Sequence, residues 1–91
     1  MTAASTTIGL FDSGFGGLTV AREVRRQMPC ANIEYYGDSG RAPYGPRTRE
    51  EIIRMTRQCV DFLATKNIDI LIIACNTATA AALDDLSGSY P

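Results

Sequence analysis

Histidine is missing from this chain of 91 residues, so neither a Ser-His-Asp nor a Cys-His arrangement can be built from it alone. Lysine occurs once, as Lys66, near the end of an expected helix where such a residue is exposed, which argues against Schiff-base chemistry. Cysteine is scarce and odd in number: Cys30, Cys59 and Cys75 include no C-x-x-C pair, which speaks against a disulfide framework or a zinc site and for free thiols. Excess charge of either sign is lacking as well. A net charge of -1 offers nothing for a nucleic acid or an anionic membrane surface. The longest apolar run is five residues, 70–74, far short of a membrane span. The first seven residues have neither the basic start nor the apolar centre of a signal peptide, and a cytoplasmic location is the expectation. What remains for acid and base work is thiol, carboxylate and phenol.

The rest of the composition, 45% apolar and 21% charged, is that of an ordinary globular domain, and the length allows one small one. Residues 7–11 read as a short strand running into the glycine-rich turn Asp12-Ser13-Gly14-Phe15-Gly16-Gly17. A helix follows over 18–27 with Leu18, Ala21 and Val24 on its apolar face and Met28 just beyond, stopped by Pro29. Residues 32–37 favour a second strand, and the prolines and glycines of 38–46 require a loop. Thr48 and Glu51 form a capping box for a helix to about residue 66 that places Ile52, Met55, Cys59, Phe62 and Leu63 on one face. The run 70–74 suits a strand buried on both faces, and 77–86 suits a helix begun by a hydroxyl or amide cap and closed near Gly88. The order is βαβαβα. It predicts an α/β fold, a three-layer parallel-sheet unit with right-handed crossovers, half of a doubly wound sheet.

In open parallel sheets ligands bind beyond the carboxyl ends of the strands. Three polar clusters are due there: Asp12-Ser13, Asp38-Ser39 and Cys75-Asn76-Thr77. Cys75 stands where the third strand gives way to a helix, and the free N–H groups of a helix start favour a thiolate, the form that acts as nucleophile or base. The bland reading of any free cysteine is a small buried hydrophobe, which fits Cys59 and Cys30 better. A phosphatase-type site needs an arginine six residues on, where Ala81 stands. The turn at Gly14-Phe15-Gly16-Gly17 fits neither G-x-G-x-x-G nor a P-loop. It reads equally as an anion cradle of backbone N–H groups or as a tight turn capped by Asp12 or Ser13. Pro43-Tyr44-Gly45-Pro46 is a rigid turn or a pocket wall with Tyr44 against the ligand, and Arg41 and Arg47 read as solvated flanks.

Three stretches together closely resemble the N-terminal motifs of bacterial glutamate racemases: Phe11-Asp12-Ser13-Gly14-x-Gly16-Gly17-Leu18-Thr19-Val20, Gly37-Asp38-Ser39-x-Arg41-x-Pro43-Tyr44-Gly45-Pro46-Arg47 and Ala74-Cys75-Asn76-Thr77-Ala78-Thr79-Ala80. The resemblance runs from about Thr7 to Leu86. It implies racemisation of glutamate without a cofactor, supplying D-glutamate for peptidoglycan, with two cysteines flanking the substrate α-carbon. One, as thiolate, removes the proton and the other delivers a proton to the opposite face. Cys75 matches the first, and Asp12 is expected to assist it or to meet the substrate ammonium. The resemblance assigns Asp12, Ser13, Tyr44, Gly45, Asn76 and Thr77 to substrate binding; Asp38 and Ser39 are further candidates from their strand-end position.

The family has two pseudosymmetric α/β domains, the second cysteine lying in a Cys-Thr-His-Tyr-Pro motif near the far end. No such motif is present here. The expectation is therefore an N-terminal portion of the first domain over 1–91, with 1–6 as a disordered tail, the second domain absent and one half of the active site in hand. An exposed sheet edge further implies a homo-oligomer or a need for the missing half. The competing expectation is a non-catalytic module that binds an amino acid or anion.

Overall fold

The structure is a computed structural model that describes residues 6–14 and 16–88. Three parallel strands form its sheet: β1 (Thr7–Asp12), β2 (Asn32–Gly37) and β3 (Ile70–Ile73), in the order β2-β1-β3. Helices α1 (Gly17–Gln27), α2 (Arg49–Ala64) and α3 (Asn76–Ser87) alternate with them, and a short 3-10 turn spans Ser39–Arg41. The expected α/β unit is the observed one.

β1 is central because its residues can be buried from both sides: Leu10 and Phe11 are fully inaccessible. Alternation along the strand sorts the layers. Ile8 and its β3 partner Ile70, with Ile72 two residues on, face α1, while Phe11, Leu71 and Ile73 pack in the core with α2 and α3. Phe11 shares that core with Tyr44, Ile52, Met55, Cys59, Leu63, Cys75 and Ala78.

β3 departs from expectation. It is an edge strand, shorter by one residue, and none of its four residues is fully buried, Ile70 being 47% exposed. On its α1 side, Ile8, Val20, Val24, Met28, Ile70 and Ile72 line an open apolar groove of about 220 Å³. The α1 face also differs from the predicted one. Leu18 is 53% exposed, and steps of four put Val20, Val24 and Met28 toward the sheet.

The Thr48–Glu51 capping box is present as expected, each side chain accepting from the other residue's backbone N–H. Helix α2 buries Ile52, Met55, Thr56, Cys59, Val60 and Leu63. Phe62 falls at the flank of that stripe and is half exposed, its ring 5.4 Å from Tyr36 and beneath the Lys66 ammonium. The helix ends at Ala64, earlier than predicted, and Asn67 turns the chain in the left-handed region at φ 56°. Helix α3 buries Ala78, Ala82 and Leu86 at four-residue steps; the two alanines let it lie close on α2. The tail expected over 1–6 lies outside the described residues except for Thr6, which is buried with its carbonyl accepting from the Asn32 N–H at 2.9 Å.

Candidate active site

The carboxyl ends of β1, β2 and β3 bring the three polar clusters to one edge of the sheet. Cys75 follows β3 by two residues and is the N-cap of α3. The expected hydroxyl or amide cap is replaced by the thiol itself: Cys75 Sγ accepts from the Ala78 N–H at 3.4 Å. The helix begins one residue earlier than expected, so Asn76 and Thr77 form its first turn, Asn76 exposed and Thr77 half-buried. The sulfur is aimed at β1 as well. Its S–H donates to Ser13 Oγ at 3.3 Å, and the residue as a whole is 6% exposed.

Asp12, the last residue of β1, is buried, and its carboxylate closes the turn into α1. Oδ1 accepts from the Ser13 N–H at 2.8 Å and Oδ2 from the Gly17 N–H at 2.5 Å. A carboxylate against the start of a helix meets both the unpaired N–H groups and the positive end of the dipole. Of the two readings of the glycine-rich turn, the capped one therefore accounts for Gly17. Space confirms the tightness: a Cβ on Gly17 would lie 2.9 Å from Asp12 Cβ and 3.0 Å from the Tyr35 hydroxyl oxygen.

Asp38, directly after β2, donates its N–H to the Asp12 carbonyl at 2.9 Å. Its own carboxylate is occupied. Oδ2 accepts from Tyr44 Oη at 2.5 Å and from Arg41 Nε at 2.7 Å. Arg41 continues the network, donating to Gln58 Oε1 at 2.6 Å and to Cys59 Sγ at 3.6 Å, while its carbonyl accepts twice from Arg47. The two arginines read as solvated flanks thus brace the loop from within. Ser39 is exposed at the start of the 3-10 turn.

Tyr44 is 1% exposed and packs its ring against Phe11, with centroids 6.1 Å apart. Of the two readings of this stretch, the rigid turn accounts for the burial of the side chain, whose ring is core and whose hydroxyl is held by Asp38. What the loop presents outward is Gly45, which is exposed. Burial, then the hydrogen bond to Asp38, pushes the Tyr44 phenol far above its ordinary value. Burial and the Asp38 charge likewise raise the Cys59 thiol.

The structure thus connects Asp12, Ser13 and Cys75 directly, sets Asn76 and Thr77 beside them, and turns Asp38 and Tyr44 into support. Sequence reasoning missed the part of Tyr35, whose hydroxyl donates to the Gly14 carbonyl at 3.1 Å. Its one signal is the alternation of β2, which places it with Gly37 on a common face. Among the described residues no group of three or more Cys, Asp or Glu side chains could hold a metal ion, and no helix is long and apolar enough to cross a membrane.

No family profile matches the chain. Individual proteins do. A glutamate racemase of Lactococcus lactis subsp. cremoris is 61% identical over 77 residues, 85% of this chain and 28% of that protein. One of Aquifex aeolicus is 46% identical over 84 residues, 92% of this chain and 33% of that protein. Among solved structures, the glutamate racemase of Aquifex pyrophilus superposes with a TM-score of 0.89 at 47% identity over 91% of this chain and 33% of its own. That of Francisella tularensis in complex with D-glutamate gives 0.88 at 39%, over 93% of this chain and 32% of its own. The chain spans about a third of the length of the relatives it matches. With the strand-end motifs, the sheet order and these likenesses in agreement, the chain matches the N-terminal third of glutamate racemases over most of its own length.

Proposed function

We propose that this chain carries one of the two proton-transferring thiols of a cofactor-independent glutamate racemase, and that the thiol is Cys75. One observation carries the reading: Cys75 Sγ sits at the carboxyl edge of the sheet between a helix-start N–H and the Ser13 hydroxyl. As thiolate, it takes the substrate α-proton; an S–H bond forms, the C–H bond breaks, and the electron pair remains on the α-carbon conjugated with its carboxylate. A second thiol delivers a proton from the opposite face. The Ala78 N–H supports charge on the sulfur, and the Ser13 hydroxyl, free to rotate, accepts from the thiol or donates to the thiolate. Asp12 is fixed next to Ser13 as the local negative group for a substrate ammonium. Asn76, Thr77 and the exposed backbone at Gly45 are placed to receive the carboxylates.

The second thiol comes from outside these residues. Cys30 is exposed in the α1–β2 connection, and Cys59 is enclosed by Arg41 and Tyr44. Lys66 lies after α2, at the opposite end of the sheet from Cys75, so the reading assigns no imine chemistry to it. D-glutamate made this way serves peptidoglycan, in the cytoplasm.

The test is exchange of the glutamate α-proton in deuterated water. We expect no turnover by the 91-residue chain alone, and turnover when the remaining two thirds of a racemase are supplied. Cys75→Ser is expected to abolish the supplemented activity. Turnover by the chain alone would sink the need for a second half, and full activity in Cys75→Ser would remove Cys75 as the base.

A further inference from the structure

Tyr35 pairs in register with Leu10 on the central strand, two residues before Gly37. Its phenol meets the turn after β1 from the side of β2. Besides donating to the Gly14 carbonyl at 3.1 Å, it has the Asp12 carboxylate as a neighbour: burial first, then the Asp12 charge and hydrogen bond, raise the phenol above its ordinary 10.0. Near neutral pH it is accordingly a neutral donor.

The surrounding space is tight at two further points. A Cβ on Gly37 would lie 2.7 Å from the Gly14 carbonyl oxygen and 3.1 Å from Tyr35 Cε1, and one on Gly17 would lie 3.0 Å from the Tyr35 oxygen. Gly17, Gly37 and Tyr35 therefore make one close-packed joint among β1, β2 and α1. Glycine at both positions is what lets the phenol reach the turn.

We propose that Tyr35 is a positioning residue: its hydroxyl, fixed to β2, anchors the Gly14 carbonyl so that Asp12 stays on the Ser13 and Gly17 amides and Ser13 stays at the Cys75 sulfur. Its meaning for catalysis rests on the glutamate reading above, whereas its effect on the turn does not. Among the described residues, no other β2 side chain donates a hydrogen bond to Gly14.

Amide hydrogen exchange on the nitrogen-15-labelled chain separates the two. Tyr35→Phe keeps the ring and removes one hydrogen bond, so exchange at Gly17 is expected to quicken by about fivefold to tenfold while Leu10 and Phe11 in β1 exchange as before. Glutamate-induced shifts at Cys75 are expected to require correspondingly higher glutamate. Exchange at Gly17 unchanged to within about twofold, on the same hydrogen-bond scale, would overturn the proposal whatever glutamate does. So would equal quickening at Gly17, Leu10 and Phe11, which would make Tyr35 a contributor to global stability only. If the unsubstituted chain shows no glutamate-induced shift, this half of the site does not bind glutamate by itself, and the Gly17 comparison still decides the role of Tyr35.

Discussion

At Cys75 a single sulfur both begins a helix and reaches across to the first strand. The position was legible in the sequence, because an apolar run giving way to Asn76-Thr77 marks a strand-to-helix turn. That the thiol rather than the amide or hydroxyl is the cap was not, since capping depends on φ and ψ at one residue and not on periodicity. Tyr44 shows the same limit: its motif was visible, but its burial on Phe11 and its bond to Asp38 depend on how the loop folds back. The buried acids of this network and of the Tyr35 joint have a consequence in alkali. Cys59, Tyr44 and Tyr35 all hold their protons more tightly folded than unfolded. Their stabilisation is complete below the ordinary values, 9.0 for the thiol and 10.0 for the phenols, and is lost as pH rises toward the raised values. Thermal unfolding followed by circular dichroism is expected to show a midpoint that falls progressively above pH about 9. A midpoint unchanged or rising there would contradict the protonated network.

Among the elements, helix α2 was the most readable, since a capping box and a three-four apolar repeat agree on one helix. Thr48→Ala removes the acceptor for the Glu51 N–H and is expected to cost about 1 kcal/mol. On a domain of this size that lowers the melting temperature by about 4–8 °C, measurable by calorimetry. A loss well below that would mean the end of α2 is held by packing instead. Helix α1 was read less well because the expected stripe of Leu18, Ala21, Val24 and Met28 and the observed stripe of Val20, Val24 and Met28 share two residues. Only contact with Ile8 and Ile72 decides between them. β3 was placed within a residue of its end, yet its burial was overestimated. A run of Ile and Leu states what a strand prefers, and strand order determines what it receives.

For the molecule as a whole, that order leaves β3 at one border with an apolar groove beside it, and Ile70 and Leu83 are both nearly half exposed. A sheet edge with free backbone groups and adjoining apolar surface favours association. Sedimentation of the 91-residue chain is expected to show concentration-dependent oligomers, and a monodisperse monomer over the full range would refute this. The thiol-to-hydroxyl link from Cys75 to Ser13 spans 62 positions of sequence. Contacts of such separation close late, because the loop between them must first be ordered. During synthesis, then, the Asp12 turn can form while the sulfur's strand is still unmade, and the sulfur finds its partner only when β3 docks on β1. The edge that joins Cys75 to Ser13 is thereby a by-product of finished topology: an incomplete chain has thiols but nowhere that organises one.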